Sequence, residues 1–223
     1  MAAEYLLVGL GNPGEDYENT RHNIGFMAID AVVSKRLDPK KPEKSKWTRT
    51  CQSLYWVEEK QKYTLHVLKP ETYMNLSLDA VDAFIKRHHI ELANVLIVYD
   101  DIDLPLGRLR LRKSGSGGTH NGMSPIANYL GEGIPRLRLG IGPFEGHDLK
   151  KFVLDPFTPD ERDIVDKVCQ STVDIVAAWL YRGLDNAMNQ YNKLDFRPKE
   201  PEPAEAPLFI PLPATPVPDS QTT

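Results

Sequence analysis

The sequence predicts an α/β fold: a single-domain, three-layer α/β/α sandwich around a mixed, mostly parallel twisted sheet. Three observations carry this. Short strand-like runs at residues 5–8, 95–99 and 136–141 alternate with longer stretches of helical period at residues 24–37, 76–88 and 159–183. Val95-Leu96-Ile97-Val98-Tyr99 has no polar alternation, as a central strand buried on both faces requires. Residues 48–57 and 63–68 are β-rich and flank the polar turn 58–62, so a hairpin joins the parallel set.

The elements follow in order. Tyr5-Leu6-Leu7-Val8 is a buried strand that breaks at Gly9-Leu10-Gly11-Asn12-Pro13-Gly14, where glycine and proline make a tight, rigid loop. Polar residues Tyr17, Arg21, His22 and Asn23 then precede a helix with Ile24, Met27, Ala28, Ala31 and Val32 on one side. A lysine- and proline-rich loop spans 38–46. After the hairpin, a second loop, Lys69-Pro70-Glu71-Thr72-Tyr73-Met74-Asn75, leads into the helix at 76–88, whose end carries His88-His89, a structural pair favoured by the helix dipole.

The central strand ends in Asp100-Asp101-Ile102-Asp103. Residues 108–113 alternate arginine with leucine, which gives a half-buried strand with one basic face, and 136–141 repeat the pattern. Between them lie a glycine-rich loop with His120 and Asn121 and a short helix at 125–130. Thr158-Pro159-Asp160-Glu161 is a capping box with proline at the first helical position, and it opens a long core helix. Residues 1–195 form the expected domain. The proline-rich stretch 196–223 is expected to be a disordered tail, in which Phe209 and Ile210 are solvated.

Composition excludes several classes. At 223 residues the chain is one domain, and 41% hydrophobic with 26% charged residues is ordinary for a globular protein rather than a disordered one. No run approaches a membrane span, and Met1-Ala2-Ala3-Glu4 lacks the positive start of a signal peptide. Cys51 and Cys169 read as core thiols in a reducing compartment, so the expected location is cytoplasmic. A net charge of −4 argues against indiscriminate nucleic-acid binding and leaves room for a local basic face.

Gly9-x-Gly11-x-x-Gly14 matches the dinucleotide fingerprint, but the match is a decoy. A helix should open at those glycines to meet a pyrophosphate, whereas Pro13 and the acidic run 15–18 intervene and would repel it.

Asn12 with His22, Tyr73 with Asn75, Asp100, and His120 with Asn121 all sit in loops expected to follow strands, and such loops converge on one edge of an open sheet. Two histidines, a carboxylate and three amides, with no nucleophile elbow, suit water attack on a carbonyl. A histidine would be the base, a carboxylate its orienter, and amides would hold the oxyanion. Plainer readings compete: Asn75 as a helix cap, His22 as a packed residue, the aspartates as a solvated turn or metal ligands. Leu104-Pro105 breaks the spacing of a calcium loop.

Five ordered motifs make the pattern specific: Gly9-Leu-Gly-Asn-Pro-Gly14, Tyr17 with Thr20-Arg-His-Asn23, Lys69-Pro70 through Tyr73-Met-Asn75, Asp100-x-x-Asp103-Leu-Pro105, and His120-Asn121-Gly122. Together they resemble the bacterial-type peptidyl-tRNA hydrolases over about residues 5–189. The resemblance implies hydrolysis of the ester joining a peptide, or an N-blocked amino acid, to the tRNA 3′ end. By it, His22 activates water, Asp100 holds the basic form of His22, and Asn12 distinguishes blocked from free aminoacyl-tRNA. Tyr17, Tyr73, Asn75, His120 and Asn121 line the substrate site, and Arg112 and Arg138 clamp a tRNA phosphate. No cofactor or metal is implied, the partner is tRNA, with no membrane and no obligate protein partner, and a monomer is expected. Thr119 stands where many members have glycine, which stiffens the loop that carries His120. The alternatives are a non-catalytic RNA-binding relative and a metal-dependent hydrolase using His22, His120 and Asp100.

Overall fold

Seven strands lie in the order β2-β3-β4-β1-β5-β7-β6. They are β1 (Ala3–Gly9), β2 (Thr48–Thr50), β3 (Ser53–Glu59), β4 (Tyr63–Pro70), β5 (Val95–Pro105), β6 (Leu109–Arg112) and β7 (Arg136–Gly142). The computed structural model describes residues 2–37 and 46–198; most of the 38–46 loop and the tail from 199 lie outside them. The four middle strands, β4, β1, β5 and β7, pair in parallel, while β2, β3 and β6 add antiparallel edges. The expected mixed, mostly parallel sheet is present.

Each buried strand feeds two cores because successive side chains point to opposite faces. Leu7, Leu96, Val98, Leu137 and Leu139 pack with α1 (Ile24–Arg36), α5 (Pro159–Arg182) and α6 (Leu184–Tyr191). Leu6, Val8, Val95, Ile97 and Tyr99 pack on the other face with α2 (Ser77–His88) and α3 (Met123–Leu130). These are the three layers.

Gly9 of the first motif and Gly25 of α1 serve this packing. A Cβ at Gly9 would lie 2.6 Å from the Gly25 carbonyl oxygen, and one at Gly25 would lie 2.4 Å from the Leu10 carbonyl oxygen. Their bare backbones let α1 close directly on β1, which is a packing reason for Gly9 of the decoy fingerprint.

The capping box forms as expected: the Thr158 hydroxyl accepts from Glu161 N–H and the Glu161 carboxylate accepts from Thr158 N–H. Glu161 also takes the Arg21 guanidinium at 2.7 Å, and Arg21 donates to the Pro156 carbonyl at 2.8 Å. That buried arginine fastens the turn carrying His22 to the start of α5.

Four expectations need correction. The strand expected at 48–57 is two strands, split at Cys51 and Gln52, which both take positive φ (46° and 53°) in a two-residue turn. Cys51 is therefore only partly buried, whereas Cys169 is a core thiol whose burial pushes it up to about 12. Asp100 does not follow a strand but lies within β5, opposite Leu139 of β7, next to a register shift between Asp101 and Pro105. Finally, Arg136 is not part of a basic surface. It is buried, donating to the carbonyls of Ser116 (2.8 Å), Glu132 (3.0 Å) and Ile134 (3.1 Å), and so anchors the glycine-rich loop.

At the opposite margin β6 is an edge strand. The Asn192 amide grips it, accepting from Leu111 N–H at 2.6 Å and donating to the Leu111 carbonyl at 3.0 Å. Asp195 bridges Arg108, and Phe196 N–H donates to the Gly107 carbonyl at 3.0 Å.

Candidate active site

The C-terminal ends of the parallel strands and the loops leaving them surround a cavity of about 830 Å³. Asn12, His22, Asn75, Asp100, His120 and Asn121 all line it. Of the residues expected to converge, all but Tyr73 are therefore together in space.

Asn12 is buried in the loop after β1, and its backbone is held by Asn23. The Asn23 side chain accepts from Asn12 N–H at 2.8 Å and donates to the Asn12 carbonyl at 2.9 Å. The Asn12 side-chain oxygen accepts from Met74 N–H at 2.8 Å. A backbone N–H can only donate, so this bond fixes which end of the amide is which. The oxygen faces Met74, and the Nδ2 group is left as a donor for the cavity. Tyr73 makes the Met74 contact possible by taking φ 61° and ψ 159°, a strained conformation for a non-glycine residue. Asn75 follows in the same turn. It is exposed and does not cap α2, whose first turn has no side-chain cap.

His22 sits in the short turn Arg21–Asn23 between β1 and α1, buried. Its Nδ1 lies 2.8 Å and 2.9 Å from the two oxygens of Asp100. His120 Nε2 lies 2.9 Å from Asp100 Oδ1. Burial alone would push the Asp100 carboxyl up. The imidazoles of His120 and then His22 outweigh it and hold the group well below the usual carboxylate range. Asp100 is therefore an anion that only accepts, and His22 Nδ1 must carry the proton. The neutral His22 then has a bare Nε2. Among the described residues no hydroxyl or thiol hydrogen-bonds this histidine.

The three groups could also hold a metal ion, since their ligand atoms lie within 4.8 Å of one another. The nitrogen–oxygen separations are those of hydrogen bonds.

The remaining predicted residues divide. Tyr17 and Tyr73 do not line the cavity; they meet edge to face outside it, with centroids 6.4 Å apart. Arg112 and Arg138 do line it, Arg138 paired with Asp101 and Arg112 exposed with no ion pair among the described residues. Arg108 and Lys113 are bound to Asp195 (3.5 Å) and Asp185 (2.6 Å), so the basic face is smaller than the alternation suggested.

Sequence reasoning missed one wall altogether. The short helix α4 (Leu149–Leu154) contributes Leu149, Lys150, Val153 and Leu154 to the cavity. Its signal was Asp148, which caps the helix by accepting from Lys151 N–H at 2.9 Å. Asn23, the clamp on Asn12, was noticed in the sequence but given no role.

Fold and site together define an α/β enzyme whose cavity opens at the strand ends and centres on an imidazole–carboxylate pair. Comparison with known proteins narrows this. Residues 6–200 match the family model described as peptidyl-tRNA hydrolase. A peptidyl-tRNA hydrolase of Synechococcus sp. (strain JA-3-3Ab) is 46% identical over 205 residues, covering 91% of this chain and 89% of its own. That of Carboxydothermus hydrogenoformans is 42% identical, covering 85% and 98%. A crystal structure of peptidyl-tRNA hydrolase from Acinetobacter baumannii superposes with a TM-score of 0.77 at 30% identity, covering 88% and 98%. The chain belongs to the peptidyl-tRNA hydrolase family.

Proposed function

We propose that this chain hydrolyses the ester between a peptide, or an N-blocked amino acid, and the 3′ end of tRNA, returning free tRNA to translation. One observation carries the reading: a buried His22–Asp100 pair leaves a bare Nε2 in a cavity that also holds the aimed Asn12 donor. His22 takes a proton from water as it attacks the ester carbonyl, Asp100 stabilises the imidazolium that forms, and amide groups of the cavity hold the developing oxyanion. His22 then returns the proton to the departing 3′ oxygen. The enzyme works on tRNA as a monomer in the cytoplasm, with no metal.

The test is release of N-acetyl amino acid from N-acetylaminoacyl-tRNA by the purified protein, with and without a chelator. Tight tRNA binding without release would instead make the chain a non-catalytic RNA binder. Release abolished by the chelator would assign the reaction to a metal on His22, Asp100 and His120.

Asn12 sets selectivity in this reading. Its Nδ2 donor meets a peptide carbonyl of a blocked substrate, whereas a free α-amine is charged and hydrated. Asn12→Asp keeps the acceptor for Met74 N–H, loses the donor and adds a negative charge to the cavity. The expected result is a loss of about tenfold or more in kcat/KM on blocked substrate, the scale of one lost hydrogen bond to a reacting partner. The preference over free aminoacyl-tRNA should narrow. A folded variant with full preference would place the selectivity elsewhere.

Arg112, with Arg138 beside it, serves to hold a tRNA phosphate, since a planar guanidinium donates two hydrogen bonds at once. Arg112→Ala combined with Arg138→Ala should raise KM for full-length substrate and spare a short acceptor-end substrate. Each lost phosphate contact should flatten the log–log salt dependence by roughly 0.7–0.9. Because Arg138 is already paired with Asp101, Arg112→Ala alone should account for most of the change. Equal damage to both substrates would make these arginines structural.

A further inference from the structure

His120 was expected to touch substrate, but its ring is fully engaged by the protein. Its Nδ1 lies 3.1 Å from Gly122 N and 3.0 Å from Met123 N. Both are backbone N–H groups at the start of α3, and both can only donate. Nδ1 must therefore offer a lone pair, and in the neutral ring the proton is confined to Nε2. That proton faces Asp100 Oδ1 at 2.9 Å. Placing a second proton on Nδ1 would break two hydrogen bonds and put positive charge at the positive end of a helix, so the helix start opposes it.

The two histidines are thus opposite tautomers converging on one carboxylate. His22 donates from Nδ1 and keeps Nε2 bare. His120 donates from Nε2 and keeps Nδ1 bare. Their rings lie 5.0 Å apart, and Tyr99 packs edge-on against His120 at 4.8 Å. Oδ1 is shared between both donors, while Oδ2 serves His22 alone.

We propose that His120 is a positioning residue: a tautomer-locked second donor, held by the start of α3, that fixes the plane of the Asp100 carboxylate and so aims the His22 imidazole. This rests on His22 being the base, but the tautomer assignment itself does not. It also gives the glycine-rich loop a task. Arg136 fastens that loop at Ser116, and the His120 ring fastens it at Gly122 and Met123, so the loop delivers a donor to Asp100 from a fixed frame.

The first test is the ¹⁵N spectrum of the imidazoles in the intact protein at about pH 8, where the free side chain is neutral. His120 should show a bare Nδ1 and a protonated Nε2, and His22 the reverse. A protonated Nδ1 on His120 overturns the proposal whatever the enzyme does.

The second test compares His120→Ala with His120→Gln, in which the side-chain amide can place an N–H near the position of Nε2. The alanine variant should lose about tenfold in kcat with KM little changed, the scale of one hydrogen bond to a charged group. Its His22 Nδ1–H proton resonance should move downfield, because Oδ1 is no longer shared. The glutamine variant should recover most of the rate. If it is no better than alanine, and the His22 resonance stays in place in both, His120 merely props the loop and the proposal fails. Absence of hydrolysis by the parent protein with the expected ¹⁵N pattern would sink the activity and leave the tautomer lock standing.

Discussion

Replacing His22 by alanine is expected to lower kcat by roughly 10²–10⁴-fold, the usual worth of a positioned general base. The Kd for tRNA should stay close to that of the parent. The separation follows from placement. His22 lies at the bottom of the cavity on Asp100, and the arginines proposed to hold phosphate lie on β6 and β7. Binding and chemistry are therefore carried by different elements. The substitution leaves Asp100 still engaged by His120, so the buried anion keeps one donor. Single-turnover kinetics with excess enzyme isolate the chemical step. Circular dichroism checks that the variant keeps its fold. A folded variant with near-parent turnover would remove His22 from the mechanism.

Asp100→Asn is expected to be as damaging, for a reason that goes beyond lost charge. An amide of the same shape has one acceptor and one donor end, whereas this site presents two N–H donors. Whichever way the amide turns, an N–H₂ group faces an imidazole. His120 cannot retreat without breaking its bonds to Gly122 and Met123, so the mismatch falls on His22. His22 is then driven to hold its proton on Nε2, the atom that should accept from water. A fall in kcat of roughly 10²–10⁴-fold is expected, since the base is lost as in the alanine variant.

The pH dependence follows with its sign. The Asp100 carboxyl is held below its usual range, so its contribution is complete above the ordinary value of 3.8 and is lost only as pH falls through the lower folded value. Loss of rate at higher pH therefore reports a group other than Asp100. An unchanged rate in Asp100→Asn would contradict the pairing.

The sequence disclosed elements wherever local chemistry is unambiguous. The Thr158 capping box and the unbroken apolar run of β5 are of this kind, because each depends on neighbours in the chain. It failed where the deciding partner is distant. Cys51 and Gln52 turn the chain with positive φ but carry none of the glycine or asparagine that signals such a turn; the pairing of Arg49 with Leu54 enforces it. Asp100 looked like the first residue of a loop because it is charged. Two histidines from other elements satisfy it, so it can stay in the strand. Arg136 and Arg138 share a face and a residue type, yet one is buried and donates to carbonyls while the other is only partly buried and pairs with Asp101. Alternation states which face a residue takes and is silent on what waits there. The site inventory was legible because its types are few and recur in order. The orientation of the Asn12 amide and the tautomers of the histidines were not, since they are set by backbone N–H groups of Met74, Gly122 and Met123.

The grip of Asn192 on Leu111 bears on where the chain tolerates being cut. β6 is a short outer strand, and an unpaired outer strand is a template on which other chains can add and aggregate. Asn192 occupies the Leu111 backbone donor and acceptor, and Asp195 and Phe196 cover the turn before it. Shortening the protein to its last described residue, 198, keeps this cover in place. Ending it just before Asn192, after α6, would uncover the strand while leaving every catalytic group intact, giving an enzyme that is competent in each molecule and prone to precipitate as a population.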